Sequence, residues 1–391
     1  MPPPSVFAVP QTTIGLAIET VRGTPVAPTF WAKVKGPKYK PDLTLLTDET
    51  LQGSMVQVYD LVPGLRYDSH GWDGYPRLDS FPVYVRAELG SPDTLGTAAT
   101  ATTLSAAALA GATTISTTAA LAAGDWVVVG SGLTQETHLV LSVASLVATL
   151  VYPLNYPQAS GATVTGLTSH KFSLLNNDGS GGNQPPSVTI TDFDGEEWRQ
   201  LSAAQLDKLT IKGTGNTLVD YTCDWFANGS IAPSAPSPAF TGSQALPSWT
   251  ANIAINGVPV THVMDWEIDL GRGVKPIPAL TGTQAYYEFF AGALTATGKI
   301  TVVETAGAPE LTQYLEAKQM PIDFTLYDLK NGWALNLHST LAEFNTGSLD
   351  RGKEWVEAQL DFQCLPTATD ATAGGVSPIA ITIANSQATT Y

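Results

Sequence analysis

The feature that most restricts this chain is alternation: apolar and polar side chains take turns along short runs, and glycine or proline ends each run. A side chain that returns to the same face every second residue has the period of a strand with one wet side. Val83 to Glu88, Ser187 to Thr191, Tyr221 to Phe226, Lys299 to Val303 and Ala334 to His338 all carry this period. The 35 glycines and 27 prolines supply the turns between such runs. The expectation is a mainly β fold. One short helix is predicted at Pro309 to Lys318, where Pro309 suits a first turn, Glu310 meets the N-terminal dipole, and Leu311, Tyr314 and Leu315 share a face. Gly195 to Lys208 is only roughly in helical phase and runs into a strand-like end, so it stays open between helix and strand.

Composition changes sharply over residues 100–166, an Ala- and Thr-rich stretch whose only formal charges are Asp125 and Glu136. Within it, Ala112 to Ser116, Trp126 to Val129, Thr137 to Leu141 and Ala148 to Tyr152 read as strands separated by turns. This predicts an inserted small β-domain, so the chain divides into 1–99, the insert 100–166, 167–365, and an Ala/Thr-rich tail 366–391. Asn176 to Pro186 and Ser230 to Pro247 read as Gly-, Ser- and Pro-rich loops.

The residue types that carry chemistry are not arranged for it. The five histidines show no spacing that would build a metal face, and the two cysteines, Cys223 and Cys364, form no paired motif. No metal, no cofactor and no catalytic residue is expected, and a reducing compartment fits. Asp192-Phe-Asp-Gly-Glu-Glu lacks the repeated ligands of a calcium loop and reads as a turn. Gly213-Thr-Gly215 lacks the third glycine of a dinucleotide fingerprint, and Asn177 to Gly182 lacks the lysine of a phosphate loop. The opening residues, Met1 to Phe7, have neither the basic nor the apolar region of a secretion signal, and no run is long enough for a membrane helix. A formal charge of −16 disfavours a tight grip on nucleic acid, which needs clustered lysine and arginine.

Two strands have acidic polar faces. Met264 to Leu270 sets Asp265, Glu267 and Asp269 opposite Met264, Trp266, Ile268 and Leu270, and Val356 to Cys364 sets Glu357 and Asp361 opposite Val356, Leu360 and Phe362. One reading is ordinary solvation. The other is a wet, negative, non-adhesive wall that suits a conduit for nucleic acid.

The N-terminal segment then narrows the choice. Ile14 to Trp31 resembles the opening of many tailed-phage tail tube proteins, a Gly-x-x-x-Glu-x-x-x-Gly-Thr-Pro-x-x-Pro pattern matched by Gly15, Glu19, Gly23, Thr24, Pro25 and Pro28. Gly282 to Phe290, followed by Thr297 to Val302, is similar to a late strand region of the same family. The resemblance covers 1–99 and 167–365 and implies a tail-tube-like β-sandwich or partial barrel with one flanking helix.

It also implies a structural virion protein, the major tail tube subunit, with homohexameric rings stacked into a tube in the virion tail and assembled in the host cytoplasm. The implied partners are copies of itself, tape measure protein, tail terminator and distal tail proteins, and phage DNA that passes through without specific binding or membrane insertion of this subunit. On that reading Asp265, Glu267, Asp269, Glu357 and Asp361 are lumen-facing candidates. The resemblance further implies a long loop, here Tyr59 to Phe81, in which Leu61, Leu65, Arg66, Tyr67, Trp72, Tyr75, Arg77 and Leu78 are candidates for contacts between subunits. The 100–166 module is expected to decorate the tube or to brace neighbouring rings. A secreted or cell-surface adhesin or carbohydrate-binding protein shares the composition but would want a secretion signal. A carbohydrate-active enzyme would need paired carboxylates and aromatic platforms, while most of the nine tryptophans read as core.

Overall fold

A computed structural model describes residues 11–176, 183–305, 309–352 and 354–391. The opening Met1 to Phe7 and the glycine-rich run 177–182 lie outside the described residues. In chain order the first elements are β1 (Thr13–Ile18), β2 (Phe30–Ala32), β3 (Val34–Asp48), β4 (Asp60–Gly74) and helix α1 (Phe81–Leu89). There follow β5 (Thr94–Leu95), β6 (Thr102–Thr103), β7 (Thr114–Ser116), β8 (Trp126–Val129), β9 (Glu136–Ala144), β10 (Val147–Leu150), β11 (Thr163–Phe172) and β12 (Val188–Phe193). Next come β13 (Trp198–Thr214), β14 (Asp220–Ala227), β15 (Asn252–Ile255), β16 (Val258–Val260), β17 (Val263–Gly271), β18 (Lys275–Ile277) and β19 (Glu288–Phe290). The chain ends with β20 (Thr295–Val303), helix α2 (Glu310–Leu315), β21 (Met320–Asp328), β22 (Trp333–Asp350), β23 (Glu357–Cys364) and β24 (Ala380–Asn385).

The fold is mainly β, as the alternation predicts, and its sheet does not close into a barrel. Eight antiparallel strands run side by side in the order β3, β4, β14, β13, β17, β20, β23, β22. From this body β22 continues to β21 and β24, while β13 bends into a second layer through β12, β1 and β2. The open segment Gly195 to Lys208 resolves as strand, because its apolar side chains Leu201, Ala204 and Leu206 enter the core that β12 and β14 also face. That core gathers Trp72, Trp225, Trp266, Phe324, Phe362 and many aliphatic residues, each worth about 1.5–3 kcal/mol when fully buried.

Several expectations change. Val83 to Glu88 is helix α1, not a strand. Pro82 sits in its first turn, Gly90 closes it at φ 87°, and every residue but Arg86 is buried. A helix surrounded by core has no polar stripe, so its sequence loses the 3.6-residue period. The predicted helix at Pro309 to Lys318 is present as the shorter α2, and Leu315 is exposed rather than part of a buried face. Of Gly213-Thr-Gly215, read as a turn, Gly213 and Thr214 are the last positions of β13, with Gly213 under the Trp266 ring, and Gly215 begins the turn that follows. The Ala/Thr-rich end is not a trailing segment: β24 pairs with β11 and β22, and Ile381 and Ile383 are fully buried.

Within 100–166, strands β7 to β10 alternate with turns as read from the sequence. Leu104, Ile115, Val127, Val129, Val140, Leu150 and Val164 form a core of their own. Strand β11 pairs with β8 at Val164 to Leu167 and, further along, with β24, so one strand links this core to the larger sheet.

Candidate functional site

The eight-strand sheet has one apolar face in the core and one polar face. On the polar face the register lines side chains up in rows that cross the strands. One row runs Asp220, Lys212, Glu267, Lys299, Asp361, Thr346. The next runs Lys35, Asp73, Thr222, Thr210, Asp269, Thr297, Gln363, Glu343. A third runs Thr214, Asp265, Thr301, Gln359, Ser348. Directly opposed side chains in neighbouring strands lie close enough to interact, so these rows decide the character of the surface.

Asp265, Glu267 and Asp269 do project together from β17, all half-buried, as the alternation requires. Asp265 accepts a hydrogen bond from Thr301 at 2.9 Å; Asp269 accepts one from Thr210 and stands 3.1 Å from the Lys208 ammonium. Asp361 is exposed on β23 and accepts from Thr346 at 2.6 Å. Glu357 departs from the expectation of an exposed wall residue. Trp355 folds over it and donates Nε1–H to its carboxylate at 2.7 Å, leaving Glu357 1% exposed. What sequence reading missed is the lysines. Lys208 and Lys212 on β13 and Lys299 on β20 stand between the acids, so the face is charge-alternating and not uniformly negative. Alternation within one strand says nothing about its neighbours, and only the pairing order brings these cations in.

The expected loop Tyr59 to Phe81 is for most of its length strand β4, and it pairs with β3 in a hairpin whose tip is Glu49 to Tyr59. The correction follows from pairing: Leu61, Val62, Pro63, Arg66 and Tyr67 each face a partner on β3, which satisfies the backbone as a loop would not. Trp72 and Leu78 are core residues, 2% and 0% exposed. Tyr67 packs on Phe226, Tyr286 and Phe289. Arg66 binds the buried Asp68 at 3.1 Å, Tyr75 lies under the Lys35 ammonium, and Arg77 donates to the Ser243 carbonyl. Of the eight candidates only Leu61 is exposed, with Leu65 half-buried beside it. The exposed apolar residues of this arm are instead Leu43, Leu45, Leu46, Leu51, Met55, Val56, Val58 and Val62.

The opening motif forms a clasp. A Cβ on Gly15 would stand 2.7 Å from the Pro28 Cβ, so the strand and the proline approach as closely as they do only because position 15 is glycine. Glu19, 7% exposed, accepts from the Gly23 amide at 2.7 Å, Ser187 Oγ at 2.6 Å, Thr189 Oγ1 at 2.9 Å and the Ala203 amide at 2.9 Å. Gly23 holds φ 77°, which turns the chain back so that Val26 N–H reaches Thr189. The carboxylate thereby ties the loop after β1 to β12 and β13.

No group of three or more His, Cys, Asp or Glu residues that could hold a metal ion occurs among the described residues. Each histidine lies beside a carboxylate: His70 near Asp192, His138 near Glu136, His170 near Asp93, His262 near Glu310, and His338 near Asp323 and Asp370. Both cysteines are free and buried; burial pushes the Cys364 thiol up to about 12 and raises Cys223 as well. Asp194 accepts from the Glu196 and Glu197 amides at 2.9 Å, the turn expected there. No helix among the described residues is long and apolar enough to cross a membrane.

Comparison with curated proteins finds no match. A family model described as phage tail tube protein matches residues 10–364 of the 391, a span that includes the clasp, the hairpin arm and the whole polar face. The chain therefore belongs to the phage tail tube protein family, a structural component of the virion tail that assembles with itself and with other tail proteins.

Proposed function

We propose that this chain is the major tail tube subunit, that it closes into hexameric rings with the polar sheet face turned inward, and that stacked rings form the conduit through which DNA is ejected. The observation that carries the reading is an eight-strand sheet with a continuous polar face and open edges. Among the described residues, β3 pairs only with β4, and beyond Ala342 β22 pairs only with β23. A long open edge is a hazard in a solitary domain and an assembly surface in a ring, since each free N–H and C=O finds a partner in the next copy. The hairpin arm carries the second contact: Leu45, Leu46, Met55, Leu61 and Val62, with Leu65 at its base, gain by burial on a neighbouring subunit or ring.

Charge alternation on the inward face suits passage. In the central row phosphates meet Lys212 and Lys299 only beside Glu267 and Asp361, so that row offers no run of adjacent cations to hold a strand. Salt screens what remains beyond about 8 Å. On the same reading 100–166 is an inserted module that decorates or braces the tube, tape measure protein fills the lumen before ejection, and assembly takes place in the host cytoplasm. Negative-stain microscopy of the concentrated protein tests the proposal. Rings or hollow tubes are expected; persistent monomers would overturn it.

A further inference from the structure

Eight of the nine tryptophans lie in the core, are half-buried, or, like Trp355, engage their own chain. Trp249 does neither: it is 62% exposed, and its backbone is fixed. It is the middle residue of a single 3-10 turn, Ser248–Thr250, whose flanking residues are both buried. Ser248 N–H donates to Thr217 at 2.9 Å, and Thr250 Oγ1 donates to the Pro247 carbonyl at 2.7 Å. A rigid, solvent-facing indole is an apolar platform with a polar edge.

Trp249 stands between two cavities and lines both. The first, about 400 Å³, is bordered by Gln135, His138, Asn155 and Tyr156 from the 100–166 segment and by Asn252 and Tyr327 from the larger sheet. The second, about 330 Å³, is bordered by Tyr152, Thr214, Asn252 and Trp266. Both volumes fall within the range of small-ligand sites. Neither lining contains a lysine or arginine. Two carboxylates, Glu136 and Asp328, border the first cavity, and both are committed: Glu136 accepts the Asn155 and Tyr156 amides, and Asp328 accepts the Lys330 and Asn331 amides. His138 borders the same cavity, but it is 2% exposed, its ring nitrogens are closed off from the cavity, and its Nε2 stands 3.4 Å from Glu136.

An aromatic platform with room on each side, planar amides and no cation together fit a hydroxyl-rich, uncharged ligand with apolar ring faces. We infer that the cleft around Trp249 binds a neutral oligosaccharide, with one ring stacked on the indole and hydroxyl or acetamido groups bonded to Gln135 and Asn155. Anionic glycans and phosphates are disfavoured because nothing in either lining offsets their charge.

Tryptophan emission of the full chain, titrated with cellotriose, maltotriose and chitotriose, tests this, with trigalacturonate as the anionic control. At least one neutral probe is expected to give a saturable change. Trp249→Ala should weaken it at least tenfold, Trp249→Phe should retain most of it, Asn155→Ala should weaken it about threefold, and Trp355→Ala should leave it unchanged. No saturable change with any neutral probe, undiminished binding by Trp249→Ala, or equal binding of trigalacturonate would overturn the inference. So would a Trp249 signal that moves on tube assembly and not with sugar, since the cleft would then be an interface between copies. Tube formation is scored separately by microscopy: a chain that forms tubes without binding sugar refutes only this inference, and one that binds sugar without forming tubes refutes only the tube reading.

Discussion

Single residues hold the clasp together, and two of them give direct tests. Glu19 satisfies four donors from three parts of the chain. Glu19→Ala strands buried donors, so it should lower unfolding free energy by roughly 3 kcal/mol in urea titrations. Gly15→Ala drives a methyl against Pro28 and Trp31 and should lower it by about 1–3 kcal/mol. His338 supplies a pH dependence. Burial pulls its pKa down, but the Asp323 carboxylate, with Asp370, more than offsets this, and the net direction is upward despite the nearby Lys171. A raised pKa means that the native state holds the proton more tightly than the unfolded chain. This stabilisation is therefore complete below about pH 6.5, the unfolded value, and is lost as pH climbs through the higher folded value. The urea midpoint of wild type should fall more between pH 6 and pH 8 than that of His338→Gln; equal falls would remove His338 from the account. At this scale the motif residues were legible in sequence as a pattern. Their reason was not, because Ser187, Thr189 and Ala203 reach Glu19 only after β12 and β13 have folded beside β1.

Among the elements, alternation located most strands of the main sheet, since a sheet with one wet face writes its period into each strand. It failed at α1 for the opposite reason: a helix buried all round carries no polar stripe, and Val83-Tyr-Val-Arg-Ala-Glu mimics a strand. The long loop that the family resemblance implied at Tyr59 to Phe81 is instead mostly strand β4, because Val34–Asp48 supplies a partner strand that no local reading of the segment discloses. The arm also yields an element-scale prediction. Replacing Thr44 to Leu65 by Asn-Gly joins Leu43 to Arg66, which already face each other, so the shortened hairpin keeps its register. The variant should melt within a few degrees of wild type and form no tubes. Normal tubes would show that the apolar tip is not an assembly contact.

For the whole molecule, the cross-strand rows are what no single segment discloses. Asp265, Glu267 and Asp269 were readable as one face of one strand; their lysine neighbours belong to β13 and β20, far away in sequence. The triple variant Asp265→Lys, Glu267→Lys and Asp269→Lys places three new cations beside Lys208, Lys212 and Lys299 and makes a basic band. Tubes should still form, and DNA ejection should slow by tenfold or more at low salt, with recovery as salt rises. Ejection at the wild-type rate would separate this face from the path of the DNA.

The most direct measurement is a cryo-electron-microscopy map of the assembled protein at side-chain resolution. The account predicts closed rings in which the free edge of β3 or of β22 gains hydrogen bonds from the next subunit, with Lys212, Glu267, Lys299 and Asp361 lining a hollow axis. Rings with that row on the outer surface, or with both edges still unpaired, would contradict it.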